Sequence, residues 1–107
     1  MTDFVTAVER LLGQIGHWEE RRWQGAATGA APATGGSRAD LVRGLVQRLA
    51  DLGAAAERRA PRPVPRIHDL VLPDQLRVIA DDLTAANPSG DVLRAATAAV
   101  DEVRAAL

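Results

Sequence analysis

Two histidines, no cysteine and a few neighbouring carboxylates are all that this 107-residue chain offers to catalysis or metal binding. His17 stands three residues before Glu20, and His68 adjoins Asp69. A metal site needs three or four converging ligands, and neither a Glu-x-x-His pair nor a thiolate supplies them. Asp81-Asp82 and Asp101-Glu102 fall on the polar faces of helical segments. Ser37 and Ser89 sit where helices begin, so they read as caps rather than nucleophiles or attachment points. The expectation is a chain that is not an enzyme, with no metal and no cofactor.

Binding chemistry is better represented. In Gly16-His17-Trp18-Glu19-Glu20-Arg21-Arg22-Trp23, a regular helix places Glu19 and Arg22 inside the apolar arc, between the two Trp residues. One explanation is a helix that outgrows its core, with its last turns in solvent, where such an ion pair contributes little. The other is a contact surface made of Trp18, Glu19, Arg22 and Trp23, since Trp and Arg are enriched at binding hot spots. A second candidate is Arg58, Arg59, Arg62 and Arg66, spaced by Pro61, Pro63 and Pro65. Arg engages carboxylate and phosphate bidentately, so either anion is chemically suited. The stretch lacks the aromatic side chains and Gly-rich loop of nucleic-acid sites, and acidic segments follow it. Docking a protein, or pairing within the chain, is the preferred reading.

Trp23-Gln24-Gly25 resembles the Trp-X-Gly motif of the small helical-hairpin proteins of type VII secretion, which are similar in length. In that family the motif marks the turn between two long helices, and a Tyr-containing signal follows at the C-terminus. Here it ends the first of four helical segments, and the chain has no Tyr.

The composition places these residues in a small globular setting. Twenty-one residues are Ala, all thirteen basic residues are Arg, and the aromatics are Phe4, Trp18 and Trp23. This excludes a disordered chain, a collagen-like chain and a disulfide scaffold, and the Ala, Gly, Pro and Arg bias suits a GC-rich bacterial genome. The N-terminus has no signal-peptide pattern and no apolar run is long enough to span a bilayer, so the expected location is cytoplasmic with no membrane partner. The net charge of −1 hides an asymmetry: residues 38–66 carry +4 and residues 67–107 carry −4. The two halves could neutralise one another inside one fold.

The elements that must position these groups are helical. Apolar spacing predicts an all-α, four-helix bundle-like single domain over residues 1–107. The first helix covers about 2–23, with Gly13 and Gly16 marking a bend. A flexible, uncharged linker follows over 24–37, and a helix over about 38–59 opens with a Ser37/Asp40 capping pair. A Pro/Arg connector spans 60–71. Helices over about 73–87 and 89–107, with matching three-and-four seams, are expected to form an antiparallel hairpin around Asn87-Pro88-Ser89-Gly90. The long linker would let the first helix dock on its own chain or exchange with a second copy, which would help an Ala-rich, thin core.

The sequence therefore points to a protein–protein interaction module whose partner is another protein or a second copy of itself. A bundle binding a small apolar or amphipathic ligand is the alternative. A nucleic-acid accessory protein acting through Arg58–Arg66 is the second alternative, disfavoured by the charge pattern.

Overall fold

A computed structural model describes residues 3–27 and 36–107. Its helices are α1 (Phe4–Ile15), α2 (Glu20–Gln24), α3 (Arg38–Ala56), α4 (Leu72–Ala85) and α5 (Gly90–Ala106), with a 3-10 turn at Asp69–Val71 ahead of α4. Among the described residues there is no strand, only an isolated bridge between Ala26 and Ser37. The all-α, bundle-like class read from the apolar periodicity is the observed one.

The single first helix expected over 2–23 is instead two. Asp3 starts α1, its carboxylate accepting the Thr6 N–H at 2.8 Å, and Phe4, Ala7, Val8, Leu11, Leu12 and Ile15 form its buried face. The helix stops at Gly16, whose N–H donates to the Leu12 carbonyl at 2.8 Å. A Cβ on Gly16 would lie only 2.8 Å from that same oxygen, so the last turn closes more tightly than a side chain permits. Glu19 then adopts an extended conformation as the residue preceding α2. The wheel that set Glu19 and Arg22 among apolar residues assumed an unbroken helix, and with the break both are exposed.

The linker read over 24–37 is closed at its ends. Arg38 N–H donates to Gly25 O at 2.8 Å, and Ala27 N–H to Gly36 O at 2.6 Å. Residues 28–35 of the linker expected to be flexible over 24–37 lie outside the described residues. With the ends of the linker joined, α1 packs on α4 and α5.

Ser37 caps α3, accepting the Asp40 N–H at 3.0 Å as its spacing suggested. The C-terminus of α3 comes earlier than expected. Arg58 N–H bonds Ala55 O and Arg59 N–H bonds Ala54 O, the paired bonds of a Schellman stop. Arg58 occupies the left-handed position, φ 57°, where glycine is the usual residue. Pro73 lies in the first turn of α4, and Ser89 caps α5 through the Val92 N–H at 3.3 Å.

Helix contacts run around a ring: α1 with α5, α5 with α3, α3 with α4, and α4 with α1. The expected α4–α5 hairpin is therefore corrected. The tight turn is present, with Asn87 at φ 51°, but the helices it joins form no comparable interface and face each other across the core. Their seams are buried, Leu72, Leu76 and Leu83 on α4 and Ala96, Val100 and Val103 on α5, against α3 and α1. Matching seams specify that two helices bury one face each, not that they bury it on each other. Buried Ala7, Ala39, Ala80, Ala96 and Ala99 let the four backbones approach closely.

Candidate functional site

The break after α1 swings both Trp residues into the protein. Trp23 has no exposure and Trp18 retains 8%. Their rings meet edge to face, with centroids 5.0 Å apart and planes at 69°, a geometry set by the ring quadrupoles. Arg22 lies over Trp18 with its guanidinium carbon 5.0 Å from the centroid. Arg38, from the start of α3, lies 6.0 Å from the same centroid and donates from Nη1 to the Arg22 carbonyl at 3.2 Å. Its Nε also reaches Leu107 O at 3.4 Å. Trp18 is thus gripped by two cations from two helices.

Gly25, the third residue of Trp-X-Gly, has its own local reason here. A Cβ at that position would overlap the Arg38 guanidinium. The motif allows α2 to close against the head of α3. It sits at the end of a five-residue helix, not in a turn between two long ones. Arg38 itself was missed in the sequence, because only the folded chain brings it to a Trp twenty residues earlier.

Of the four residues proposed as a contact surface, the structure gathers all four but leaves only Glu19 and Arg22 exposed. Trp23 has no surface to offer a partner in this conformation. A broad, open depression lined by Gln14, His17, Trp18, Glu19, Arg21 and Arg22 is what remains on this side. His68 is the other polar group here. Its Nδ1 accepts the Leu70 N–H at 3.2 Å, leaving Nε2 3.7 Å from Glu20. Among the described residues, no three His, Cys, Asp or Glu side chains are grouped as metal ligands.

The connector presents the opposite arrangement. Its prolines remove N–H groups, and four of its other backbone polar groups are met by side chains of α3 and α4. Gln47 Oε1 accepts the Val64 N–H at 2.7 Å, and its Nε2 donates to Arg62 O at 3.0 Å. Gln75 donates to Pro65 O at 3.0 Å. Arg43 Nη2 donates to Ile67 O and to the Asp69 carboxylate, each at 2.6 Å. The Arg43 and Asp69 side chains are about four-fifths buried, where a hydrogen-bonded pair is screened less than at the surface. Arg43 Nε is buried beside it without a partner. Val64 packs against the core.

Arg58, Arg59, Arg62 and Arg66 are all exposed on this tethered strand of chain. Arg59 pairs only with nearby Glu57, at 3.0 Å. Among the described residues, Arg58, Arg62 and Arg66 have no ion pair. The basic and acidic halves meet in Arg43–Asp69 and in a long, exposed Arg48–Glu102 contact of 3.9 Å. Internal neutralisation, expected from the charge asymmetry, does not reach Arg58, Arg62 or Arg66 among the described residues. Beneath it runs a groove of about 240 Å³ floored by Leu49, Ala54, Val64, Ile79 and Leu83, with Arg59, Arg62, Glu57 and Asp82 lining it too.

No helix among the described residues is long and apolar enough to cross a membrane. Compared with protein-family models, curated proteins and solved structures, the chain matches none.

Proposed function

We propose that the chain is a non-catalytic protein-interaction module whose working surface is the Arg58–Arg66 connector, and that its partner offers acidic side chains. One observation carries this reading: Arg58, Arg62 and Arg66 stand exposed without ion pairs among the described residues, over a backbone tied at residues 62, 64, 65 and 67. A surface ordered beforehand loses less conformational entropy on binding. Guanidinium forks suit carboxylates geometrically. The apolar groove under the connector gives an accompanying Leu or Val of the partner a place to bury. On this reading Trp18, Arg22 and Trp23 act within the fold, holding α2 to α3. The cytoplasm of a bacterium is proposed as its setting on composition alone.

The test is a titration of the protein against a labelled acidic peptide carrying one Leu, its amide counterpart, and duplex and single-stranded oligonucleotides. The acidic peptide should bind, weakening as salt screens the charges. Arg62→Gln with Arg66→Gln should weaken it at least about tenfold. Tighter binding to oligonucleotide, with log affinity falling linearly in log salt, would replace this reading with the nucleic-acid one. Equal binding of the amide peptide would defeat it.

A further inference from the structure

A second groove lies on the other side of α3 and is independent of the reading above. It measures about 290 Å³ and is floored by Leu41, Leu45, Ala99 and Val103 where α3 meets α5. Asp40, Gly44 and Arg48 border it along α3, and Glu102 borders it on α5. Gly44 is exposed in mid-helix, and a Cβ there would meet nothing within 4 Å. Nothing inside the fold requires glycine at this point, although it weakens a helix by roughly 1 kcal/mol relative to Ala.

The spacing of the charges decides what fits. Asp40 and Arg48 lie four residues before and four after Gly44, one turn away on either side along one row of the helix. A two-fold axis passing beside Gly44 would set a second α3 antiparallel to the first. It would place each Asp40 opposite the Arg48 of the other copy, twice over. The row is therefore complementary to itself under the symmetry that most homodimers use. Helices crossing with their i±4 rows aligned approach closest where side chains are smallest, which here is Gly44 against Gly44. The existing Arg48–Glu102 contact does not oppose this. It is 3.9 Å long with both side chains more than half exposed, so Arg48 can swing to a facing carboxylate at little cost.

We propose that the α3/α5 groove is a self-association surface, occupied by α3 of a second copy in an antiparallel arrangement centred on Gly44. The interface is isologous, and each copy covers the other's half-buried Leu41. It differs from an exchange of the first helix, because every helix stays on its own chain.

Sedimentation equilibrium of the full chain over a concentration series reads the outcome. The wild-type protein should reach the mass of two chains, with association weakening as salt is raised. Asp40→Arg and Arg48→Asp should each weaken the dimer at least about tenfold, because like charges then face each other twice. The double variant Asp40→Arg/Arg48→Asp should recover most of that loss, which no purely structural role of either residue predicts. Gly44→Leu should leave a folded, helical monomer, since the monomer has room for the side chain, and should abolish association. A wild-type chain monomeric at every concentration would overturn the proposal and leave the groove to an unrelated partner or a small apolar ligand. Association that survives Gly44→Leu, or fails to recover in the charge-swapped double variant, would overturn it equally.

Discussion

The Trp-bearing corner and the Arg-bearing connector invert one another. At the corner, aromatic side chains that could have met a partner are turned inward, and Arg22 and Arg38 are spent covering Trp18. At the connector, side chains that could have been neutralised internally face outward, and the internal hydrogen bonds go to the backbone instead. The difference follows from what each group loses on burial. An indole gains by leaving water and asks for one hydrogen bond at most. A guanidinium loses hydration that only a well-placed anion restores, and α3 and α4 supply Gln47 and Gln75 along this path. Amides satisfy a proline-rich backbone, and they leave guanidiniums to the solvent.

That contrast can be broken most forcefully at Trp23. Trp23→Ala should cost about 3–5 kcal/mol in urea unfolding, the range for emptying a buried aromatic site. Iodide should hardly quench the wild-type Trp emission, and strong quenching with a red-shifted maximum would return the corner to the surface. At the connector, Gln47→Ala leaves the half-buried Val64 N–H without its acceptor. It should cost about 1–3 kcal/mol and accelerate hydrogen exchange at Val64, with the Trp spectrum unchanged.

Smaller effects sharpen the same comparison. Arg58→Gly should stabilise the protein by about 1 kcal/mol in thermal unfolding, because the residue is held at φ 57°. The same change should weaken acidic-peptide binding if Arg58 belongs to the working surface. Arg62→Gln/Arg66→Gln should alter stability by no more than about 0.5 kcal/mol, as befits exposed side chains without partners. The smallest effect is a pH dependence at the start of α1. The Thr6 backbone N–H, then the Thr6 hydroxyl, hold Asp3 below the ordinary aspartate value. A carboxyl depressed in the folded state stabilises above its unfolded value, and that contribution disappears as pH falls through the lowered one. Asp3→Asn should therefore flatten the acid limb of a melting-temperature profile slightly and leave neutral pH behaviour to the remaining cap.

Much of the fold was legible in local chemistry. Ser37 and Ser89 cap the helices they precede, Pro73 lies in a first turn, and Asn87 takes the left-handed turn position. Each depends on a backbone group a few residues away. What escaped was long-range. The apolar spacing of Ile15, Trp18 and Trp23 imitates one continuous helix, because a break that keeps burying the same residues leaves the period nearly intact. Gly16 was the available signal. The candidate residues were legible by type, but their exposure was not. Glu19 and Arg22 lie outside the core because the helix breaks, and Arg38 joins Trp18 because the ends of the linker are stitched together.

By itself the sequence determined the helical class, the capped starts of α3 and α5, and the positions of opposed charge. These follow from periodicity and short-range hydrogen bonding, which the chain carries wherever it folds. Tertiary structure alone decided that α4 and α5 pack on α1 and α3 rather than on each other. It also decided that the tryptophans are interior and the connector arginines exterior. Those outcomes rest on which faces compete for one small core, and on where Gln47, Gln75 and Arg43 happen to reach. That competition is settled by the whole set of packed helices, and no single segment encodes its result.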